Sequence, residues 1–286
     1  MAVYDKSGNA LNSAYDVNGE SLQIAYDKNG DVIFPTTSTI KVMTYNWQWL
    51  QAFNSQQTMQ TAIIQGNNAD IIGFQEFSKS SSVPTVGANA LSGYNTIRLS
   101  NHYNYNAMAS KNIILSDITI ADFQAQDQYD IDTYDETRCY MKCHFTIGGK
   151  NICWINTHLC YHTDVSKYAQ MAEIFALAEQ EDYCIITGDF NSYALSASDS
   201  DYINMFKQFV DAGYNLANST AEQGFTKTWT DSSVATSPSQ MTYATDNIIC
   251  SGNINIDSVV FDLTKFNYLN GESIDHIPII ATLEIT

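Results

Sequence analysis

The sequence predicts an α/β domain over residues 36–286, preceded by a small β-meander over residues 1–35. From Ile40 onward, short apolar runs alternate with segments of helical periodicity, a mixture typical of one α/β domain. Residues 4–34 instead repeat with a period of 11 residues. Because no apolar run approaches the ~18–20 residues needed to span a bilayer, we expect no transmembrane segment.

The N-terminal repeat consists of a Tyr-Asp pair, a glycine and then an aliphatic residue, with pairs starting at Tyr4, Tyr15 and Tyr26. Asn18-Gly and Asn29-Gly predict two-residue hairpin turns, since both residues of such a turn must accept positive φ. So few strands rarely stand alone in water. Their apolar face is therefore expected either to dock on the remaining domain or to join subunits or a larger assembly, such as part of a virion.

Residues 35–39 are interpreted as a linker, and the elements of the α/β domain follow it. Apolar runs predict strands at 40–44, 70–74, 111–115, 153–155, 183–187, 247–250 and 277–285. Helical periodicity predicts helices at 55–65, 164–181 and 198–212. Asp164 is the expected N-cap of the second helix, and Gly213 is the expected stop of the third. The predicted apolar face of the second helix comprises Tyr168, Met171, Ala172, Phe175 and Ala178.

The charge of the chain restricts the classes of partner. Its formal net charge is −18, from 31 acidic and 13 basic residues. Because binding nucleic acid normally exchanges counterions for Lys and Arg, this acidity argues against a protein that wraps nucleic acid tightly. It leaves open an enzyme that contacts nucleic acid transiently, at one metal-bearing cleft.

The cysteines and the N-terminus suggest a compartment without fixing one. None of the six cysteines has CxxC zinc spacing, and most lie in apolar runs, so buried free thiols are expected. The first residues lack the basic start and apolar stretch of a secretory signal. We therefore expect a cytoplasmic or virion-associated protein.

Polar side chains stand where the apolar runs begin or end, which is a common way to build a site on rigid strands. Those at the ends of runs are Asn46, Glu76, His158, Asp189 and Asn191, and those at the starts are Asp246, Asp275 and His276. Carboxylate oxygens suit Mg²⁺. Two histidines supply a general base and a second donor, and a carboxylate nearby orients the base. The set therefore predicts phosphoryl chemistry.

Six motifs carry these residues in a fixed order between residue 40 and the C-terminus. They are Thr44-Tyr-Asn46, Gln75-Glu76, Asn156-Thr-His158-Leu, Gly188-Asp-Phe-Asn191, Asp246-Asn-Ile-Ile and Asp275-His-Ile-Pro278. In order and spacing they resemble the endonuclease/exonuclease/phosphatase superfamily, in its deoxyribonuclease I-like branch. Gly-Asp-Phe-Asn with a later Asp-His-x-Pro is the specific combination. The resemblance implies a four-layer sandwich of two packed mixed β-sheets flanked by helices.

The resemblance also implies a metal site. Glu76 would be the principal ligand, Asn46 would lie beside it and contact metal or phosphate, and Asp275 would be a further carboxylate on the metal side. The expected cofactor is Mg²⁺, with Mn²⁺ or Ca²⁺ as possible substitutes.

The remaining motif positions imply the reacting groups. Asp189 and Asn191 would orient the attacking water and the phosphate, and Asp246 would orient His276, which would act as base or acid. His158 stands where deoxyribonuclease I-like and sphingomyelinase-like members have histidine and apurinic-site endonucleases have tyrosine.

Arg138 precedes the strand that leads to His158, as a phosphate-contacting arginine does in the deoxyribonuclease-like branch. The alternative is that Arg138 only offsets the neighbouring charges of Asp135 and Glu136. One departure from the family pattern is Ile274, where the family usually has serine.

These residues favour a Mg²⁺-dependent phosphodiester hydrolase, and first of all an endonuclease acting on DNA. The fold alone does not settle the substrate. A sphingomyelinase-like or small-molecule phosphodiesterase or phosphatase is the alternative, which the acidity favours slightly, although no apolar insertion for membrane contact is visible. A catalytically inert structural or attachment protein is disfavoured because every expected catalytic position is filled.

Overall fold

The computed structural model describes residues 3–4, 10–11, 25–26, 32–33, 38–48, 54–78, 85–94, 96–100, 105–128, 131–132, 137–218, 225–230, 235, 237–268 and 275–286. The N-terminal part contains β1 (Val3–Tyr4), β2 (Ala10–Leu11), β3 (Ala25–Tyr26) and β4 (Val32–Ile33). These strands form an antiparallel sheet in the order β2-β1-β3-β4, so β2 is not beside β3 as a meander requires. The two predicted Asn-Gly turns lie outside the described residues.

The rest of the chain forms two six-stranded sheets. The first has the order β15-β16-β5-β6-β8-β7 and the second β13-β14-β12-β11-β10-β9. The strands are β5 (Ser38–Asn46), β6 (Ile71–Ser78), β7 (Thr96–Leu99), β8 (Tyr105–Ser110), β9 (Ser116–Asp122), β10 (Cys139–Ile147), β11 (Lys150–His158), β12 (Cys184–Asp189), β13 (Asn215–Leu216), β14 (Asp246–Cys250), β15 (Ile254–Phe261) and β16 (Ile279–Ile285).

Helices cover the outer faces of both sheets. Besides short 3₁₀ turns at Pro238–Gln240 and Thr264–Asn267, they are α1 (Asn54–Asn67), α2 (Thr85–Ala90), α3 (Asp164–Ala178), a π-helical turn at Tyr202–Phe206 and α4 (Lys207–Asp211). None of the helices among the described residues combines the length and the apolar character needed to cross a membrane.

Three apolar layers hold this arrangement together. Val42 and Met108 of the first sheet and Trp154 of the second belong to one buried cluster between the sheets. Helices α1 and α2 pack on the outer face of the first sheet. Helices α3 and α4 pack on the outer face of the second. The predicted four-layer α/β sandwich is therefore confirmed.

The predictions of the central strands are confirmed, and one predicted strand is wrong. Predicted strands at 40–44, 70–74, 153–155, 183–187, 247–250 and 277–285 fall within or overlap β5, β6, β11, β12, β14 and β16. Residues 111–115 form no strand and connect β8 to β9. Asn112 there has φ +57°, and Ile114 is 87% exposed while Ile113 and Leu115 pack on the core. This connection is a turn that alternately buries and exposes apolar residues.

The predicted helices are confirmed in position, with corrections at α3. Its N-cap is Thr163, whose hydroxyl accepts from the Ser166 amide, and Asp164 is the first helical residue. Its buried face is also turned from the predicted one, because polar Lys167 and Gln170 are buried with their hydrogen bonds satisfied. The buried residues of α3 are Lys167, Gln170, Met171, Ile174 and Ala178. At the third predicted helix, Gly213 follows α4 with φ +86°, as a C-terminal stop requires.

Two further expectations have outcomes in the described residues. Ser38 and Thr39, predicted as linker, belong to β5, because both pair with β16. All six cysteines are buried and none forms a disulfide, as predicted.

Candidate active site

The strand registers bring the predicted site residues to one edge of the sandwich. In the first sheet β5 and β6 are parallel, and Asn46 pairs with Gln75, next to Glu76. In the second sheet β11 and β12 are parallel and end together at the pair His158–Asp189. Strands that end in parallel deliver their last side chains to the same side.

The residues that open apolar runs reach this edge through antiparallel pairing. Asp246, the first residue of β14, pairs with Asp189. At the start of β16, Ile279 pairs with Thr44 near the end of β5, so the preceding Asp275 and His276 lie at the same edge. Strand register thus brings Asn46 and His276 to the same edge, although they are more than 200 residues apart in the sequence.

The Asp189 carboxylate is the centre of the site. Its Oδ2 accepts a hydrogen bond of 2.9 Å from Asn46 Nδ2 and lies 3.6 Å from His158 Nε2 and 3.5 Å from His276 Nε2. Its Oδ1 accepts from the Asn191 amide at 2.9 Å. Burial and the Asp246 carboxylate raise the pKa of Asp189 to about 6.

Glu76 approaches the same point from the first sheet. Its Oε1 accepts from Asn46 Nδ2 at 3.3 Å and lies 3.9 Å from His158 Nδ1. Glu76 has φ +51°, at a register shift of the β6–β8 ladder between Phe74 and Ser78. Such irregularities re-aim side chains and are common beside active sites. Burial and the Asp275 carboxylate raise the pKa of Glu76 to about 8.

His276 is held by Asp246. The distance between His276 Nδ1 and Asp246 Oδ2 is 2.9 Å, and both side chains are buried. This bond places the ring proton on Nδ1 and turns Nε2 toward Asp189. Burial lowers the pKa of His276, but the carboxylates of Asp246, Asp189 and Asp275 outweigh it and raise the pKa to about 10.

His158 has the opposite electrostatic environment. Burial, together with the positive charges of Arg138 and His276, holds the pKa of His158 well below its usual range. Arg138 is itself 5% exposed, and its guanidinium carbon lies 5.6 Å from the centre of the Tyr161 ring. Arg138 is thus near the site, while Asp135 and Glu136 of the alternative interpretation lie outside the described residues.

The turn after β12 is supported from below by a buried ion pair. Asn191 has φ +49°, and its side-chain amide donates to the Leu159 carbonyl at 2.8 Å. Lys167 Nζ donates to the Asn191 carbonyl at 3.2 Å and to Asp201 Oδ2 at 3.1 Å. Asp201 also accepts from the Tyr193 amide at 2.6 Å. Lys167 and Asp201 therefore fix the backbone that carries Asp189 and Asn191.

A buried polar network joins the two sheets beneath the site. Asn156 Oδ1 accepts from Gln75 Nε2 at 2.7 Å and from Thr187 Oγ1 at 3.0 Å. Asn156 Nδ2 donates to the carbonyls of Phe74 and Ala107. Because buried polar groups must be paired to be tolerated, this network fixes the positions of the two sheets relative to each other at the site.

The donor set fits a divalent cation. Glu76 and Asp275 are carboxylates whose pKa values lie above the usual range, chiefly because burial disfavours the charged form, and at Glu76 also because of the Asp275 charge. Within the described residues, Asp275 Oδ1 and Asp246 Oδ1 are buried without a hydrogen-bond partner. Hard oxygen donors of this kind suit Mg²⁺. Asp189, Asp246 and His276 are also close enough to share an ion.

Sequence reasoning missed Lys167, Asp201 and Lys265. Lys265 is fully buried and donates from Nζ to the His276 carbonyl at 3.0 Å, which supports the segment carrying Asp275 and His276. Burial lowers the pKa of Lys265 to about 8, although the carboxylates of Asp275, Asp246 and Asp262 act to raise it. Of these three residues, only Lys167 could have been found from the sequence. It lies four residues before Met171, and this spacing places it on the apolar face of the helix.

An aromatic cluster lies beside His276. The Tyr193 and Tyr243 ring centres are 4.7 Å apart, Trp229 stacks on Tyr243 at 5.8 Å, and Trp229 lies 6.4 Å from His276. Tyr193 is 39% exposed. The cluster thus presents a partly open aromatic face at the rim of the site.

Comparison with known proteins agrees with this geometry. A model of the Endonuclease/Exonuclease/phosphatase family matches residues 43–263. Among curated proteins, no sequence matches the chain.

Three solved structures are similar in fold. An endonuclease/exonuclease/phosphatase family protein from Bacteroides thetaiotaomicron is 15% identical, with a TM-score of 0.64 over 88% of this chain and 100% of that one. TDP2 of D. rerio complexed with single strand DNA product is 16% identical, with a TM-score of 0.63 over 86% and 99%. ANGEL2, a 2',3'-cyclic phosphatase, is 16% identical, with a TM-score of 0.58 over 87% and 96%. At these identities the likeness shows the fold alone.

Proposed function

Since this chain belongs to the endonuclease/exonuclease/phosphatase family, whose hydrolase fold acts on phosphoester bonds, we propose that it is a Mg²⁺-dependent phosphodiesterase that cuts DNA as an endonuclease. One observation carries the proposal. Asn46, His158 and His276, from three separate elements, all contact or approach one carboxylate oxygen of Asp189 within 3.6 Å. A structural core has no need of two histidines aimed at one buried carboxylate.

In this proposal Glu76 and Asp275 hold the metal, with Asn46 beside them. When bound, Mg²⁺ stabilises the negative charge that develops on the phosphate. Burial and the Asp275 charge raise the pKa of Glu76 to about 8, and burial raises the pKa of Asp275. Both shifts support this assignment, because a bound cation would offset the cost of keeping these carboxylates charged.

The other residues of the site orient the reactants. Asp189, fixed by Asn46 Nδ2 and by the Asn191 backbone amide, aligns a water molecule for attack on phosphorus and accepts the proton that the water loses as the new P–O bond forms. His276, held at Nδ1 by Asp246, presents Nε2–H to the same space and gives a proton to the leaving oxygen as the ester bond breaks. His158 donates to a phosphate oxygen. The side-chain amide of Asn191, which has a second N–H besides the one donated to the Leu159 carbonyl, positions the phosphate without adding negative charge.

Two features at the rim support a nucleic acid substrate. The aromatic face of Tyr193, Trp229 and Tyr243 offers stacking to an unpaired base, an interaction that tolerates any sequence. Arg138 supplies a guanidinium near His158, and guanidinium groups form paired hydrogen bonds to phosphate. DNA contacted only at this cleft is compatible with the acidic charge of the rest of the chain.

A substrate panel tests the proposal. The protein is incubated with supercoiled plasmid, RNA, sphingomyelin and bis(p-nitrophenyl) phosphate in Mg²⁺, with and without chelator. We expect plasmid nicking that disappears with chelator and returns when Mg²⁺ is added in excess. Mn²⁺ and Ca²⁺ are tested in place of Mg²⁺.

The other outcomes separate the alternatives. Cleavage of sphingomyelin or of the small ester alone would overturn the nuclease assignment and keep the phosphodiesterase. Absence of turnover on every substrate, with a normal circular dichroism spectrum, would favour an inert structural or attachment protein.

A further inference from the structure

A second cluster of metal-ligating side chains lies at the other end of the second sheet. His144, Cys153 and Glu181 each offer a ligand atom, and these atoms lie within 4.8 Å of one another. Cys153 and His158 are five residues apart on β11, which is roughly 16 Å along a strand. The cluster is therefore distinct from the candidate active site.

Strand register and alternation assemble the cluster. On β10, Cys143 and Phe145 face the core between the sheets, so His144 faces outward. His144 pairs with Cys153 on β11, and Cys153 pairs with Cys184 on β12, which places the three side chains in a row on one face. Glu181 lies in the connection from α3 to β12, and its carboxylate contacts His144.

The hydrogen bonds suit these groups to ligation. Lys142 Nζ donates to Glu181 Oε1 at 2.6 Å and holds this carboxylate beside His144. His144 Nε2 lies 3.2 and 3.3 Å from the two Glu181 oxygens. His144 Nδ1 lies 4.0 Å from Oδ2 of the exposed Asp117, which is too long for a hydrogen bond.

We infer that His144 Nε2, Cys153 Sγ and a Glu181 oxygen form a site for one thiophilic divalent cation such as Zn²⁺. Nitrogen, sulfur and oxygen donors are the ligands that zinc takes in proteins, and three of them leave a fourth position for water. The thiolate and imidazole disfavour Mg²⁺. A cation here ties the end of α3 to β10 and β11, so it stabilises the fold without taking part in the proposed hydrolysis.

Cobalt titration tests the site. Metal-free protein in saturating Mg²⁺, which occupies the oxygen site, is titrated with Co²⁺ and followed by absorption. We expect one equivalent to produce a thiolate-to-cobalt charge-transfer band in the near ultraviolet, which Zn²⁺ then removes. A 100-fold excess of Zn²⁺ over its Kd should raise the Tm by about 5 °C.

Variants identify the ligands. Cys153→Ser should lose the charge-transfer band, whereas Cys139→Ala, which removes a buried thiol outside the cluster, should keep it. His144→Gln changes a half-buried residue and leaves every thiol in place; we expect its Kd for Co²⁺ to rise at least ~10-fold. The inference is wrong if the wild type shows no band at one equivalent, if Cys153→Ser keeps it, or if His144→Gln binds Co²⁺ as tightly as the wild type.

Discussion

At the scale of single residues, Asp189 and the two histidines carry the proposed chemistry. Because His158 Nε2 and His276 Nε2 lie 3.6 and 3.5 Å from the same Asp189 oxygen, removing any one of the three breaks the arrangement. We expect Asp189→Ala, His158→Ala and His276→Ala each to lower kcat by ~10² or more, the usual scale for an acid–base group. Steady-state rates on the substrate identified by the panel measure this.

The matched control is Asp182→Ala, an exposed aspartate just before β12, at the opposite end from Asp189. It should retain the wild-type rate. Wild-type rates in all three site variants would refute the assignment of the site.

Asp246 acts through His276, so its loss should have a different signature. Asp246→Asn keeps the size of the side chain but weakens the bond that holds Nδ1–H of His276 at 2.9 Å. We expect kcat to fall by about 10-fold or more while KM stays near the wild-type value, since the ring is misoriented rather than removed. A change confined to KM would place Asp246 in substrate binding instead.

The motif residues were predictable one by one, and their supports were not. Asn46, Glu76 and Asp189 stand at strand ends, where a polar residue interrupts an apolar run. Lys167 and Lys265 are buried lysines whose burial is permitted by partners distant in sequence, such as Asp201 for Lys167. Local pattern carries no information about such a partner.

At the scale of elements, β6 has to pass close to β11 and β12. A side chain at Gly73 would overlap Thr187 Oγ1 and Asn156 Oδ1 of the polar network. We expect Gly73→Ala to lower the free energy of unfolding by about 1–3 kcal/mol, because overpacking forces neighbours to move, and to lower the rate as the sheets shift.

The control for Gly73→Ala is Gly66→Ala in α1, where an added methyl meets nothing within 4 Å. Alanine there should stabilise the protein by about 0.4–1 kcal/mol. Denaturant unfolding measures both variants. Equal stability of Gly73→Ala and the wild type would show that the network is not rigid.

Glu181, which precedes β12, forms hydrogen bonds with Lys142 and His144 on β10. These contacts predict that the stability of the fold depends on pH. Burial raises the pKa of Glu181, but the hydrogen bonds from Lys142 and His144 outweigh it, so the folded pKa lies below the unfolded one. The carboxylate thus stabilises the fold above its unfolded pKa of about 4.5. This contribution is lost as pH falls through the folded pKa.

Glu181→Gln removes this contribution. In chelator, the variant should be less stable than the wild type at pH 7, and the difference should shrink below about pH 4.5. Glu179→Gln, at a neighbouring exposed glutamate, should show no such convergence. A difference that stays constant between pH 7 and pH 3 would contradict the prediction.

Which strands the sequence could predict follows from burial. Strands β5, β11 and β12 are covered on both faces and appear as continuous apolar runs. Strands β9 and β15 lie at sheet edges and have one open face, so their more buried residues alternate with exposed ones. These strands have no long continuous apolar run, and for that reason the sequence did not predict them.

At the scale of the whole molecule, periodicity predicts an α/β domain but not the number of sheets. The order of strands depends on pairings between distant segments, such as β12 with β14, and no local pattern specifies them. The four layers were predictable only from the resemblance to the family. The same holds for the site, whose residues meet because two sheets are stacked with their strand ends aligned.

The role of the N-terminal sheet is the remaining question at this scale. Every proposed site residue lies between 46 and 276, the family match begins at residue 43, and β5 begins at Ser38. A truncation starting at Thr36 should therefore keep the activity of the full chain. Light scattering distinguishes the two proposed roles of residues 1–35. If they join subunits, the number of chains per particle falls on truncation. If they dock on their own domain, that number is unchanged and the Tm falls.

Two outcomes of the truncation experiment would contradict the proposals. A truncated protein that keeps the same number of chains per particle as the full chain rules out the assembly role, because the remaining surface then suffices for association. Loss of activity in a truncated protein with a normal circular dichroism spectrum would mean that residues 1–35 contribute to the site, since every residue assigned to catalysis would still be present.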